Sequence, residues 1–249
     1  MRRISIVFNR DFRELCQSSA FLIISIIFAV ITVAASIIIV IALRRQELLG
    51  ETPARQVFEL ILGLIAYFLP LSVLMTFIWA FTFLTIIKEK VSGNIESLLA
   101  TPLSPKEIWI GKSIAIFLPG YAISIISTLI ILLAVNFFII IPVTGNFILP
   151  APLLLLSFFI NPLLFLALLL FIVLFSLANN PDIAIAPSFL VGFGLMIGIP
   201  LGVATGVINL VSWSFTLWCL GGAIIFWAAD FGLYRLLTKE NIVLSSKGG

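Results

Sequence analysis

The charged residues of this chain lie in clusters, and four long stretches between the clusters contain none. These uncharged stretches are residues 15–43, 60–87, 113–181 and 183–229, with lengths of 29, 28, 69 and 47 residues. A helix needs about 20 apolar residues to cross the roughly 30 Å hydrocarbon layer of a bilayer, because it rises about 1.5 Å per residue. The first two stretches therefore fit one crossing each, and the two longer ones fit two each. The pattern predicts an all-α, polytopic membrane protein with six transmembrane helices.

Proline positions refine these predicted spans. Bends are expected at Pro70 in the second span and at Pro119-Gly120 in the third, because proline lacks an N–H group and its ring clashes with the preceding turn. Asn161-Pro162 lies near the midpoint of the fourth span. The predicted limits are about 20–43 for the first span, 60–87 for the second, 153–178 for the fourth and 211–233 for the sixth.

Glycines recur at every fourth position of the fifth predicted span, at Gly194, Gly198, Gly202 and Gly206. This spacing allows another backbone to approach closely. Pro200 lies among them and favours a second interpretation, in which the span breaks near the outer face and re-enters before the last span. Such broken backbone is tolerated only when protein or water surrounds it. The candidates for helix packing or for lining a transport path are Pro70, Asn161 and these four glycines.

The first 17 residues form a separate pattern. Ile4, Phe8, Phe12 and Leu15 follow one another at helical spacing, and the charged residues lie mostly elsewhere around the helix. Residues 1–17 are therefore predicted to form an amphipathic helix that lies in the membrane interface. The alternative is a cytosolic segment continuous with the first span.

Composition agrees with a membrane location and excludes several functions. Hydrophobic residues make up 62% of the chain and charged residues 10%, against about 25% charged residues in soluble domains. The chain has no histidine, and its two cysteines, Cys16 and Cys219, lie far apart. The sequence therefore indicates neither a disulfide framework nor a metal site, and it lacks the commonest general base. We assign no catalytic residue, cofactor-binding residue or metal ligand, and we expect residues 1–249 to form a single transmembrane domain.

Basic residues predict the orientation of the spans. Eleven lysines and arginines lie in the N-terminal segment, in the loop after the second span and in the C-terminal tail, and three lie in the loop after the first span. Because basic loops tend to remain in the cytoplasm, both termini and the 88–112 loop are predicted to face the cytoplasm from a multi-pass position in the cell membrane. The net charge of +3 then reflects orientation, and nucleic acid is not an expected partner. Asp230, the one acidic residue inside a predicted span, is expected to pair with Arg235 or to reach the interface.

The sequence does not encode an ATP-binding loop. Gly111-Lys112-Ser113 is similar to the end of a phosphate-binding loop, but that pattern needs a glycine at position 106, where this chain has Lys106. The chain is therefore not expected to be an enzyme that hydrolyses ATP by itself.

The loop between the second and third predicted spans has the most informative local pattern. Asn94 can cap a short helix in which Ile95, Leu98 and Leu99 share one side, and Thr101-Pro102 ends it. A helix this short is unstable alone and needs a surface that covers its leucines, either lipid headgroups or a soluble partner protein.

The third predicted span begins directly after this loop. Ser104 is expected at the N-cap, Pro105 at the first helical position and Glu107 at the third. These residue types satisfy unpaired N–H groups and favour helical dihedral angles, so the pattern predicts a well-defined helix start.

The run from Ser92 to Ile108, followed by Gly111-Lys112, resembles the signature loop of type-2 ABC transporter permeases, the membrane subunits of ABC exporters. That family has Gly-x-hydrophobic-Glu-x-Leu-x-x-Thr-Pro-hydrophobic-Ser, then an acidic residue and a Gly-Lys pair. Asn94 stands where Thr or Arg is more common, and it preserves a helix cap. Outside this run the chain resembles the family in layout only.

The resemblance implies a half-transporter. Two copies of this chain, or the chain and a sister permease, would enclose the translocation path, and separately encoded ABC ATPase subunits would bind ATP and Mg²⁺ and dock on the cytoplasmic coupling loop at 88–107. ATP-driven closure of the ATPases would rock spans two and five between inward-open and outward-open arrangements. The ATPase-coupling residues that the resemblance assigns are Asn94, Ile95, Glu96, Leu98, Leu99, Thr101, Pro102, Ser104 and Glu107.

Two other classes of function fit the predicted spans. One is an ATP-independent membrane channel or scaffold protein. The other is a membrane-embedded enzyme acting on lipid substrates. The lack of histidines and the lack of paired carboxylates both disfavour it. Only an exporter subunit is expected to co-purify with a separate ATPase. The sequence leaves open the substrate, the identity of the ATPase and the choice between homodimer and heterodimer.

Overall fold

A computed structural model describes residues 2–48, 55–82, 100–178, 189–240 and 242. Helix accounts for 89% of the structure, and none of the described residues forms a strand. Five helices are long and apolar enough to cross a bilayer. The prediction of an all-α fold is confirmed, and the length and composition of these helices indicate a multi-pass membrane protein.

The main helices are numbered α1 to α7 along the described part of the chain, and each π-helical turn is counted with the helix that it continues. They are α1 Arg2–Gln17, α2 Ser19–Leu48, α3 Arg55–Thr82, α4 Pro105–Thr144, α5 Ala151–Ala178, α6 Phe189–Ala204 and α7 Trp213–Leu233. A 3₁₀ turn, Tyr234–Leu236, follows α7. The five candidate membrane spans are α2, α3, α4, α5 and α7.

Side-chain contacts give the directions of α5, α6 and α7. α5 and α7 are parallel, because hydrogen bonds join Thr216 to Pro152 at one level and Trp227 to Leu163 eleven residues further along both helices. The helix between them in sequence, α6, runs opposite to α3. Its first residue, Phe189, stacks on Trp79 near the end of α3 with the ring centres 4.6 Å apart. We name the end of the bundle at which α4 begins the Lys112 end, and the end at which α3 begins the Glu59 end.

α3, α4 and α5 form the centre of the bundle. In the most apolar part of these helices 61%, 50% and 67% of the residues are buried, against 17% in α2 and 17% in α7. The exposed large side chains of α2 are isoleucine, leucine and valine, which are as apolar as the lipid tails that a peripheral span contacts. One large cluster of buried side chains surrounds Phe77 and Trp109, and a smaller one surrounds Phe58 and Ile139 towards the Glu59 end.

Three helices contain a π-helical turn, and a proline follows each turn. The turns are Asn136–Ile140 in α4, Leu156–Ile160 in α5 and Gly194–Gly198 in α6, and the prolines are Pro142, Pro162 and Pro200. A proline cannot donate to the carbonyl four residues before it, and its ring clashes with that carbonyl. The wider π turn accommodates the ring without ending the helix.

Hydroxyl groups from neighbouring helices replace the donors that two prolines lack. Pro70 lies inside α3 and leaves the Ala66 carbonyl without its usual helical donor. Ser157 Oγ of α5 lies 2.6 Å from this oxygen and 2.8 Å from the Leu153 carbonyl of its own helix, and it donates to the nearer one. In the same way Tyr121 Oη of α4 donates to the carbonyl four residues before Pro162, at 2.8 Å. Backbone groups inside a membrane need protein partners of this kind, because water is absent. The prolines therefore help to join α3, α4 and α5.

The fifth predicted span differs from the other five. Its described part is α6, which is shorter than the five candidate spans and ends at Ala204. The break comes after Pro200, which lies inside the helix. Gly206 follows with a φ of 74°, and the buried Leu210 lies against Gly63, about two turns inside α3.

Candidate functional site at the start of helix α4

The start of α4 is fixed by the capping box that the sequence predicts. Ser104 is the N-cap with an extended backbone, φ −81° and ψ 149°, and Pro105 follows it in the first turn. The Glu107 N–H donates to Ser104 Oγ at 3.3 Å, and the Ser104 N–H donates to Glu107 Oε2 at 2.8 Å. Both bonds satisfy N–H groups that a helix start leaves unpaired. The predicted helix start is confirmed.

Two side chains in the first turns of α4 connect it to α5 and α7. Trp109 is buried, and its indole N–H donates to the Leu170 carbonyl of α5 at 2.8 Å. The Lys106 ammonium lies 4.2 Å from the centre of the Tyr234 ring, directly after α7. A cation over an aromatic ring is stabilised by about 0.5–1 kcal/mol at an exposed site. The start of α4 therefore contacts two other helices at the Lys112 end.

Helix α1 makes a buried ion pair with the same part of α4. Lys112 Nζ lies 2.9 Å from Asp11 Oδ2, and the two side chains are 0% and 1% exposed. Arg10 Nε also donates to Asp11 Oδ1 at 2.8 Å. Gly111 allows the two helices to approach closely, since a Cβ at this position would lie 2.8 Å from Val7 Cβ. The sequence pattern did not predict Asp11 as the partner of Lys112.

Helix α1 is amphipathic as predicted, but its buried face is centred on different residues. Val7, Asp11 and Leu15 are buried, whereas three of the four residues of the predicted apolar face are half-buried. Cys16 is also half-buried, and this burial raises the pKa of its thiol. A prediction from hydrophobic residues leaves out Asp11. The predicted buried face was therefore shifted by one position, from Val7 and Asp11 to Phe8 and Phe12. The position of Asp11 midway between Val7 and Leu15 was the signal available in the sequence.

The structure describes four of the nine predicted coupling residues. Thr101 is half-buried, Pro102 is exposed, and Ser104 and Glu107 form the capping box. The other five, Asn94, Ile95, Glu96, Leu98 and Leu99, lie outside the described residues. A role of this set in binding an ATPase stays a prediction.

The four glycines of the fifth predicted span have different surroundings. A Cβ at Gly194 or Gly198 would meet nothing within 4 Å, so these two glycines do not mediate helix packing within the described part of the chain. Gly202 lies against the side chain of Ile208, and Gly206 has a positive φ that glycine adopts easily. Gly202 and Gly206 therefore shape the turn between α6 and α7. Packing against a second chain, or lining a path, stays a prediction for Gly194 and Gly198.

Three polar or helix-breaking residues inside predicted spans are buried. Pro70 and Asn161 lie in the centre of the bundle, and Asn161 Nδ2 has no hydrogen-bond partner in the described part of the chain. The predicted pairing of Asp230 with Arg235 is wrong. Arg235 is exposed, and both carboxyl oxygens of Asp230 are buried without a hydrogen-bond partner among the described residues.

Within the described ranges, no group of three or more cysteine or acidic side chains is arranged to hold a metal ion. Comparison of the chain with models of protein families, with curated proteins and with solved structures finds no match. A functional proposal therefore depends on the pattern of residues 92–112 and on the contacts around Lys112.

Proposed function

We propose that this chain is the membrane-spanning permease subunit of an ATP-binding-cassette exporter. Two permease chains form the translocation path, and separate ATPase subunits bind ATP and Mg²⁺ and dock on residues 92–107. The similarity of these residues to the signature loop of type-2 ABC permeases supports this proposal. The observation that carries it is the convergence of α1, α5 and α7 on the first turns of α4.

This convergence explains how a small movement of the loop reaches the whole bundle. The capping box at Ser104 makes α4 begin as a firm helix directly after the loop. Lys106 then contacts the end of α7, Trp109 holds α5, and Lys112 holds α1. Because packed interiors transmit displacement instead of absorbing it, a force on residues 101–107 moves these helices together.

The directions of the helices support six membrane crossings. Since α5 and α7 are parallel, the chain returns across the bilayer between them, and α6 runs in the return direction. Its 16 residues, Phe189–Ala204, cover about 24 Å at about 1.5 Å per residue. The turn at residues 205–212 supplies the remaining distance. Leu210 of this turn is buried against α3, which is the setting in which irregular backbone is tolerated inside a membrane.

The distribution of basic residues supports a cytoplasmic location for the Lys112 end. The basic N-terminal segment and Lys106 and Lys112 lie at this end, together with Arg235. Three arginines lie at or beyond the Glu59 end, at Arg44, Arg45 and Arg55. The bias of lysine and arginine towards cytoplasmic loops supports a cytoplasmic location for both termini and an outer location for the Glu59 end.

The loose packing of α6 fits a role in the transport cycle. Gly194 and Gly198 have open space beside them, and the start of α6 contacts α3 through Phe189, Gly192 and Phe193 around Trp79. A helix with few contacts shifts more easily than one in the centre of the bundle. ATP-driven closure of the ATPases rocks α6 against α3 and opens the path alternately to the two sides.

Capture of an ATPase from native membranes tests this function. The tagged chain should co-purify, after mild crosslinking, with a peripheral protein that hydrolyses ATP. Leu99→Asp should reduce the capture by about tenfold or more, because an apolar groove does not bury a carboxylate without a partner. Ser97→Asp adds the same charge to the other side of the predicted coupling helix and should leave capture unchanged.

The result also separates the proposal from its main alternative. Absence of any ATPase in the wild-type capture would reject the exporter subunit. Ion conduction by the purified chain in vesicles without ATP would favour the channel. Equal capture by the wild type and by Leu99→Asp would reject the assignment of the coupling helix.

A further inference from the structure

The ion pair between Asp11 and Lys112 is fully buried. Its two residues are 101 positions apart in the chain, and neither side chain is more than 1% exposed. Removing two charges from water is unfavourable unless each compensates the other with good geometry. The pair therefore fixes one relative position of α1 and α4, and a displaced α1 leaves a buried charge without its partner.

Three contacts, each one helical turn from the next, hold α1 in this position. Val7 lies against Gly111, where a side chain would not fit. Asp11 pairs with Lys112, and Leu15 belongs to the large buried cluster around Phe77 and Trp109. The contacts extend over about 12 Å of α1, since eight residues separate the first from the last.

The junction between α1 and α2 is short. Only Ser18 separates the two helices. Its hydroxyl donates to the Leu15 carbonyl at 2.7 Å and accepts from the Phe21 N–H at 3.2 Å. Phe21 in turn lies against Phe77 of α3, with the ring centres 6.2 Å apart. A displacement of α1 is therefore passed directly to the start of α2, the loosely covered first span.

We propose that Asp11 and Lys112 are positioning residues that make α1, and through Ser18 the start of α2, move as one body with the start of α4. The consequence for transport rests on the proposed function, because the ATPase supplies the movement at residues 92–107. The link itself is a property of this chain alone. Gly111-Lys112 is then the part of α4 on which helix α1 docks.

The test uses Cys16 as a reporter in the full chain with Cys219→Ser. Cys16 lies beside Leu15 and is half-buried, so a maleimide reaches it slowly while α1 is docked. Asp11→Lys places two ammonium groups together and should raise the rate of Cys16 labelling by about tenfold, because release of α1 exposes the thiol and restores its reactivity. Glu14→Lys makes the same charge change at an exposed position of α1 and should label at the wild-type rate.

Restoring the opposite charges sharpens the test. Asp11→Lys with Lys112→Asp should return the labelling rate towards that of the wild type. If Asp11→Lys alone does not insert into the membrane, Asp11→Asn is measured in its place. This variant keeps the shape and removes the charge, and it should raise labelling by about threefold. Wild-type labelling of Asp11→Lys, or of Asp11→Asn in its place, would overturn the link.

A second measurement addresses the consequence for transport. In the complex with its ATPase, Asp11→Lys should lose the response of ATP hydrolysis to the permease, and Glu14→Lys should retain it. A raised labelling rate with an unchanged ATP response would overturn the role in coupling. If the wild-type chain captures no ATPase, the proposed function fails, and the labelling rates alone then decide whether the pair holds α1.

Discussion

Two groups of glycines show how differently the two sides of this bundle are built. On α4 a side chain has no room, since a Cβ at Gly111 or Gly120 would lie 2.8 Å from Val7 or Phe77. On α6 and α7 the glycines with open space beside them are Gly194, Gly198, Gly221, Gly222 and Gly232. Glycine in a membrane helix allows another helix to approach closely. The glycines of α4 allow close contacts with helices of the same chain. The open glycines of the α6–α7 side leave space for contacts from outside the described part of the chain.

The contrast teaches that the two sides need different partners. The α4 side is completed by α1, α3 and α5 of the same chain. The α6–α7 side, with its exposed Trp213 and Trp218, is open to lipid or to another chain. If this chain forms a path with a second permease, as proposed, the open side is the one available for that contact.

The largest expected effect on stability is on the α4 side. Lys112→Ala removes the buried cation and leaves Asp11 with the partly exposed Arg10 alone, so we expect a loss of about 3 kcal/mol in the free energy of unfolding. Unfolding in mixed detergent micelles measures this loss. Lys106→Ala, which removes only an exposed contact with Tyr234, should lose about 1 kcal/mol or less. Equal losses in the two variants would show that the buried pair has no special weight.

A matched pair of glycine substitutions tests the contrast itself. Gly120→Leu forces a side chain against Phe77 and should destabilise the single chain by about 1–3 kcal/mol. Gly198→Leu should change its stability by less than about 0.5 kcal/mol, because the position is open. Crosslinking between chains should fall in Gly198→Leu if a second permease packs there. Equal destabilisation of the single chain by both substitutions would contradict the distinction between the two sides.

The smallest expected effect concerns the hydroxyl beside Pro70. Ser157→Ala leaves the Ala66 carbonyl without a donor and should destabilise the chain by about 1 kcal/mol. Ser72→Ala is the control, since Ser72 Oγ donates only within α3, to the Leu69 carbonyl at 2.9 Å. The same unfolding assay compares them. A loss in Ser72→Ala as large as that in Ser157→Ala would argue against the compensation of Pro70 by α5.

Local features of this fold could be predicted from the sequence, and distant pairings could not. The helix start at Ser104 and Glu107 was predictable because three residues within four positions determine it. The donor that compensates Pro70 comes from Ser157, 91 positions from the carbonyl it satisfies. Nothing near Pro70 identifies that donor. The bends expected from proline likewise say nothing of the π turns, which depend on how each helix is packed.

The candidate site also has a local feature that the sequence predicts and a distant pairing that it does not. The capping pattern of Ser104, Pro105 and Glu107 predicts where α4 begins. The partner of Lys112 is hidden because Asp11 interrupts an apolar pattern, and only the docking of α1 on α4 shows that its carboxylate is buried. For the fifth predicted span the sequence left two interpretations open, and the end of α6 at Ala204 agrees with the one that has a break after Pro200.

The rate of ATP hydrolysis by the captured ATPase, measured with and without the wild-type chain in lipid vesicles, tests the central claim most directly. We predict that the chain changes this rate by about fivefold or more. Ser104→Ala, which removes the N-cap of α4, should weaken the response while the ATPase stays bound. The same rate in the presence and absence of the chain would contradict the account.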